Sequence, residues 1–229
     1  MARSVNPAEH AARRGEILDG ALQLILTRGY ADMSIQDLLD RLRISRGAFY
    51  HYFDSKEALL EALTERLHDE VEQHLAPIVQ DPQASALEKL QRFLGALLKW
   101  KNARKGTIKA LLPVWYSDEN AIFLKKMQET GVARTQPLMA ALIRQGVAEG
   151  VLSPPYPDQA CDVFFSLRQG LQDTLARLLL APGPLAIDQI TGATDAYTAA
   201  LEQALGAPRD SLRPMTTAAL KEWLIGEET

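Results

Sequence analysis

The polar side chains best suited to recognising a charged polymer are concentrated in one segment, residues 34–56, SIQDLLDRLRISRGAFYHYFDSK. An arginine side chain matches O6 and N7 of guanine, so Arg46 is the candidate for contact with a base edge. Lys56 opens a helix, where its charge and the helix N-terminus can both meet a phosphate, and Ser34 can act in the same way at its own helix start. The candidate nucleic-acid contacts are Ser34, Ser45, Arg46, Tyr50, His51 and Lys56.

Three predicted helices position these side chains. The Ser-x-x-Asp sequence at Ser34 starts an eight-residue amphipathic helix, a three-residue turn follows, and Ser45 caps a second, short helix. Phe49 and Phe53 are four residues apart, so they share a face and anchor the short helix in the core. Gly47, without a side chain, lets that helix approach DNA or the preceding helix closely. This helix-turn-helix pattern places one short helix in a DNA major groove.

The same segment resembles the N-terminal signature of TetR-type transcriptional regulators, over about residues 10–62. The matching residues are Gly29-Tyr30, Ser34-Ile35, Ser45-x-Gly47-Ala48-Phe49-Tyr50-x-Tyr52-Phe53 and Ser55-Lys56-Glu57-Ala58-Leu59-Leu60. The resemblance implies an all-α fold, phosphate contacts from Tyr50 and His51, a homodimer on a palindromic operator, repression, and release by a small molecule. It also implies a helix-turn-helix domain over residues 1–56, followed by a ligand-binding and dimerisation domain over residues 57–229.

One position departs from that family pattern. The turn between the two helices usually has glycine, and this chain has Arg43. A left-handed conformation costs a non-glycine residue roughly 1 kcal/mol. Either the turn differs slightly or Arg43 accepts the strain; its side chain is then a further phosphate contact or simply a solvated arginine.

Composition is consistent with a helical protein of one or two domains. About 47% of the 229 residues are hydrophobic, and the single cysteine, Cys161, excludes an internal disulfide framework. The net charge is −4, made of +1 over residues 1–56 and −5 over the remainder. No apolar run reaches the roughly 20 residues that span a bilayer, and the first residues lack the apolar core of a signal peptide, so we expect a cytoplasmic protein without membrane contact.

Nearly the whole chain is predicted to be helical, because no stretch shows sustained two-residue alternation. Helix starts and stops are indicated by caps, glycine and proline. The predicted helices are Asn6 to about Arg28, the pair already described, Ser55 onward with a kink or end at Pro77, Ser85 to about Ala103, Thr107–Tyr116, Asp118 towards Gly150 with a strain or break near Pro137, 158–180, 187–205 and 216–225.

Two sets of residues suggest further sites. Aromatic and soft apolar side chains with a few polar groups favour a small-molecule pocket, although ordinary core is the alternative for each residue. The candidate pocket residues are Phe93, Leu97, Trp100, Trp115, Tyr116, Phe123, Met127, Phe165, Arg168 and Gln169. Two late helices with interleaved small residues suit the four-helix dimer interface that the resemblance implies, or intramolecular core. The candidate interface residues are Phe164, Leu171, Leu175, Ile190, Thr194, Tyr197 and Leu201.

Two other function classes compete with a regulator. A helical enzyme lacks support, since there is no His-Glu-x-x-His, glycine-rich phosphate loop, nucleophile elbow or cysteine pair, and the four histidines are scattered. We therefore expect no catalytic residue, metal or cofactor. A helical scaffold without DNA binding would account for the acidic remainder, but not for the combined spacing within residues 34–56.

Overall fold

The computed structural model describes residues 7–184 and 186–213. In this part of the chain the regular secondary structure is helical throughout, which confirms the all-α prediction. The helices are α1 Pro7–Arg28, α2 Ile35–Leu42, α3 Arg46–Tyr50, α4 Lys56–Gln80, α5 Ala86–Ala103, α6 Lys105–Trp115, a 3-10 turn Asp118–Asn120, α7 Ala121–Ala148, α8 Ala160–Leu180 and α9 Ile187–Leu205. The predicted cap Asn6 and the predicted helix 216–225 lie outside the described residues.

Side-chain caps fix several helix starts, as the sequence predicts. At α2, Ser34 Oγ accepts a hydrogen bond from the Asp37 N–H (3.1 Å), and the Asp37 carboxylate accepts one from the Ser34 N–H (2.9 Å). At α3, Ser45 Oγ accepts from the Ala48 N–H at 3.1 Å. Ser85 and Glu88 form the equivalent reciprocal pair before α5. Each cap satisfies backbone donors that have no partner inside the helix.

Two of the predicted helix breaks are wrong. α4 does not end at Pro77 but runs on to Gln80, and α7 continues through Pro137 without a break. A kink at Pro77 and strain near Pro137 stay predictions. A proline removes one helical hydrogen bond and introduces a local clash. Nearby side chains are firmly held, because Leu75 and Met139 are buried in one hydrophobic core. Tertiary packing therefore outweighs the local penalty in both helices.

The chain divides into two compact units. One comprises the chain up to residue 69 together with residues 104–127, and the other comprises residues 70–103 and the chain from residue 128 onward. The predicted functional boundary at residue 56 stays a prediction.

The first unit holds α1, α2, α3 and α6. α1 packs against both α2 and α6. Gly20 makes the contact with α2 possible, since a Cβ at this position would lie 2.9 Å from Leu42 Cδ2. The buried side chains of this unit include Ile17, Leu18, Leu24, Ile25, Met33, Leu38, Leu39, Phe49, Phe53, Leu59, Leu60 and Leu63.

The second unit is centred on α5, α8 and α9 with parts of α4 and α7. α8 packs along α9, and the two helices are close at Gly170, where a Cβ would lie 2.9 Å from Tyr197 Oη. Within the described residues, no helix is both long and apolar enough to cross a membrane. The principal core contains Leu75, Leu90, Phe93, Met139, Leu142, Ile143, Leu152, Ala160, Phe164, Phe165, Leu201, Leu205 and Leu212.

Candidate nucleic-acid interface

The short helix α3 has one buried and one exposed side. Phe49 is 0% exposed and Phe53 is 3% exposed, so both are the core anchors that their spacing predicts. Arg46 and Tyr50 lie in solvent, with 44% of Tyr50 accessible. The caps at Ser34 and Ser45 are exposed as well. The helix therefore presents a polar face that nothing in its own unit covers.

Positive charge is concentrated around this helix. Residues 41–53 contain three arginines and no acidic residue. Arg41, Arg43 and Arg46 are all exposed. In the described part of the chain none of the three forms an ion pair, so their charges are available to an external anion.

Arg43 occupies the left-handed region. Its φ is 52° and its ψ is 46°, and its N–H donates to the Leu39 carbonyl at the end of α2. The turn therefore keeps the geometry that favours glycine, and arginine accepts a strain of roughly 1 kcal/mol.

Gly47 faces open space. A Cβ built at this position meets no atom within 4 Å. The expectation that glycine allows a close approach to α2 is therefore wrong, since no part of α2 is near enough to need it. The other alternative, a close approach of this helix to DNA, stays a prediction.

Lys56 is held by its own unit rather than extended into solvent. Its Nζ lies 4.2 Å from the Tyr30 ring centroid and donates to the Ala31 carbonyl at 3.4 Å. Burial lowers the pKa of Lys56, and burial followed by the nearby Glu57 carboxylate raises the pKa of Tyr30 to about 12. Lys56 is half-buried. The phosphate contact of Lys56 stays a prediction. The packing of Lys56 on the Tyr30 ring was not predicted from the sequence, although Gly29-Tyr30 is part of the motif that carries the resemblance.

His51 follows α3 and belongs to a small ring cluster. Its ring lies 5.6 Å from that of His10 and 5.1 Å from that of Tyr52, and the His10 and Tyr52 rings are 4.6 Å apart. The cluster connects the start of α1 to the end of the exposed helix. The sequence gives no signal for this contact, because His10 and His51 are far apart in the chain.

The candidate pocket residues fall in both units. Trp115, Tyr116, Phe123 and Met127 belong to the first, and Phe93, Leu97, Trp100, Phe165, Arg168 and Gln169 to the second. In the second unit Phe93 and Phe165 share one core, and the Arg168 guanidinium lies 5.3 Å from the Phe165 ring centroid. Gln169 donates to Asp173 on its own helix at 2.8 Å.

The candidate interface residues differ in accessibility. Phe164, Ile190 and Leu201 are buried within the protomer, and Tyr197 lies against Gly170. Leu171, Leu175 and Thr194 are half-buried. The exposed small residues of α9 are instead Gly192, Ala196 and Ala199.

Comparison with known proteins agrees with this geometry. Residues 17–63 match the model of the bacterial regulatory proteins of the tetR family. The HTH-type transcriptional regulator BetI of Escherichia coli K12 is 31% identical over 126 residues, which cover 53% of this chain and 63% of that protein. The chain thus matches less than two thirds of the length of these curated relatives.

Two solved structures share the fold. A TetR-family transcriptional regulator from Pectobacterium atrosepticum has a TM-score of 0.65 at 25% identity, covering 89% of this chain and 100% of that one. SmeT, the repressor of the multidrug efflux pump SmeDEF of Stenotrophomonas maltophilia, has a TM-score of 0.63 at 21% identity, covering 89% and 95%.

A short exposed helix, anchored by two buried phenylalanines and preceded by a capped eight-residue helix and a tight turn, defines a helix-turn-helix transcriptional regulator. Residues 17–63 match the tetR family of bacterial regulatory proteins, and the chain resembles TetR-family regulators in fold. Its relatives are regulators of transcription and not enzymes, and the enzyme alternative is set aside on that ground.

Proposed function

We propose that this protein is a ligand-responsive repressor that binds a palindromic DNA operator as a homodimer and is released by a small molecule. The observation that carries the proposal is the exposed face of α3, where Arg46 and Tyr50 are accessible. Two further arginines, Arg41 and Arg43, are exposed nearby and form no ion pair with any described residue. Arg46 reads a base edge, while Ser34, Ser45, Tyr50, His51 and Lys56 contact phosphates. The protein acts in the cytoplasm.

The form of the protein that binds the operator is a homodimer of two copies of the chain. On α9, Gly192, Ala196 and Ala199 are exposed at spacings of four and three residues, so they form one stripe on the helix surface. Small side chains let two helices approach closely, and a two-fold axis would bring the same stripe of the partner against it. Two copies of α3 would then meet half-sites about 34 Å apart, one turn of DNA.

The effector binds in the helical part that follows the DNA-binding segment. Phe93, Trp100 and Phe165 supply buried aromatic surface there. An effector that prefers one conformation of the dimer lowers the affinity for DNA, and DNA lowers the affinity for the effector by the same factor.

The first test is DNA binding. Purified full-length protein should shift a fluorescent duplex from the region upstream of its own gene, with an affinity that falls steeply as salt rises, because phosphate neutralisation releases counterions. Arg46→Ala should remove about 1–3 kcal/mol of the discrimination between the operator and a scrambled duplex.

The matched control is Arg177→Ala, which removes another exposed arginine, on α8. Its operator affinity should equal that of the unchanged protein. A folded, dimeric protein without any salt-dependent shift of the upstream duplex would contradict the proposed function and favour a helical scaffold. Equal losses on the operator and the scrambled duplex in Arg46→Ala would contradict base reading by Arg46.

A further inference from the structure

The start of α1 packs on the segment that follows α3, within the first unit. The His10 ring lies 4.6 Å from the Tyr52 ring, centroid to centroid, and 5.6 Å from the His51 ring. The His51 and Tyr52 rings are 5.1 Å apart, so the three rings form one cluster. All three separations fall in the range in which aromatic rings attract each other.

A second contact joins the same two segments. Arg14 lies one helical turn after His10, so both side chains occupy one face of α1. The Arg14 guanidinium carbon lies 5.1 Å from the centroid of the Phe53 ring, which is 3% exposed. One face of α1 therefore contacts residues 51–53 at two points, and the short segment is tied to a helix of 22 residues.

The three rings of the cluster differ in accessibility. His51 is exposed, whereas His10 and Tyr52 are half-buried. His51 caps the C-terminal end of α3, whose exposed face carries Arg46 and Tyr50. An imidazole N–H in this place can donate to a phosphate oxygen, provided that the ring keeps one orientation. The half-buried rings are the groups that restrict its rotation.

We propose that His10 is a positioning residue for DNA binding. Its ring, together with that of Tyr52, holds the His51 imidazole in the orientation in which it donates to a phosphate. His10 acts through His51 and makes no DNA contact of its own. A side chain that is already ordered loses less conformational entropy when DNA binds, so the packing raises the affinity. The inference rests on the proposed function, because it presupposes that His51 meets DNA.

The experiment measures the operator Kd of the full-length protein by fluorescence anisotropy at constant pH and salt. His10→Ala removes the ring and should raise the Kd on the order of five-fold. The scrambled duplex should be affected alike, since a phosphate contact carries no base preference. His10→Phe keeps an aromatic ring without the imidazole nitrogens, and its Kd should lie within about two-fold of that of the unchanged protein.

A double-mutant cycle separates action through His51 from a direct DNA contact and from a general loss of stability. His51→Ala should weaken binding, and His10→Ala should then have little further effect, because the ring that it positions is gone. Thermal melting shows that each variant is folded at the temperature of the binding measurement. His10→Gln also lacks the ring and should bind like His10→Ala, and it replaces the alanine variant if that variant does not fold.

His74→Ala is the matched control. His74 is exposed on α4, with its Nδ1 2.6 Å from the Glu70 carbonyl oxygen, and it lies outside the ring cluster. Its replacement should leave the operator Kd unchanged.

Three results would overturn the inference. They are an unchanged Kd in the folded variants without the ring, an affinity of His10→Phe as low as that of His10→Ala, and losses in His10→Ala and His51→Ala that add in the double variant. Each of them leaves the proposed function standing, because the unchanged protein still binds the duplex. No shift of the duplex by the unchanged protein would refute the proposed function and this inference with it.

Discussion

Arg46 and Tyr50 stay in solvent because Phe49 and Phe53 take the core positions of the same short segment. The helix has five residues, too few for stability of its own, so its buried rings and the cap at Ser45 hold it in place. A base-reading side chain needs such a fixed backbone, since a rotating helix would lose the register of its contacts. The strained backbone at Arg43 serves the same purpose, because the tight turn before α3 keeps its left-handed geometry although its residue is not glycine.

Replacement of Gly47 by alanine should separate folding from DNA binding. Since a Cβ at this position meets nothing within 4 Å, the variant should fold normally and gain roughly 0.5–1 kcal/mol of helix stability. The added methyl group should keep α3 from its closest approach to DNA and raise the operator Kd on the order of ten-fold. Urea unfolding and fluorescence anisotropy measure the two effects.

Gly95→Ala is the matched control, since this glycine is also helical and a Cβ there also meets nothing within 4 Å. It should give a similar gain in stability with no change in operator affinity. An unchanged operator affinity in Gly47→Ala would show that DNA does not approach this position.

Capping pairs decide where the helices of the DNA-binding segment begin. The Ser34 side chain and backbone, followed by Arg28, hold the pKa of the Asp37 carboxyl below its ordinary value. A carboxyl whose pKa is lowered by folding stabilises the protein above its unfolded value, near 4, and the stabilisation is lost as the pH falls through the folded value.

Asp37→Asn should therefore lower the melting temperature at pH 7, and the difference from the unchanged protein should shrink as the pH falls from about 5 to about 2.5. Asparagine keeps an acceptor oxygen, so the change isolates the charge. Asp54→Asn is the control, because Asp54 is exposed and its carboxylate makes no hydrogen bond or ion pair within residues 7–184 and 186–213. A melting difference for Asp37→Asn that stays constant over this pH range would contradict the capping role of the charge.

The helices that carry a cap or a stop signal could be predicted from the sequence, because these signals are local. The pair α2 and α3 and the buried Phe49 and Phe53 are examples. Contacts between segments that are distant in the chain could not be predicted from the sequence, because no local signal marks them. The contact of Lys56 with the Tyr30 ring depends on two segments brought together by folding, and so does the contact of the His10 and His51 rings. The continuation of α4 and α7 through their prolines could not be predicted, because the packing around these residues is not visible in a local pattern.

The whole molecule carries its charge unevenly, and this affects both proposed ligands. A net charge of −4 opposes unspecific attraction to DNA, so affinity must come from the few exposed cations around α3. If a small-molecule effector weakens DNA binding by some factor, operator DNA must weaken effector binding by the same factor. This reciprocity ties both ligands to a single measurable coupling free energy.

The exposed stripe of small residues on α9 predicts that two copies of the chain form a dimer. Ala196→Arg places a long charged side chain on this stripe without entering the core, because Ala196 is exposed. The variant should stay folded but sediment as a 25.3 kDa monomer instead of a particle of twice that mass, and it should lose most of its affinity for a palindromic duplex. Ala148→Arg, at an equally exposed alanine at the end of α7, should remain a dimer. A charge at Phe164 would instead unfold the protomer, since that ring is 1% exposed. A dimer that persists in Ala196→Arg at micromolar concentration would place the interface on another surface.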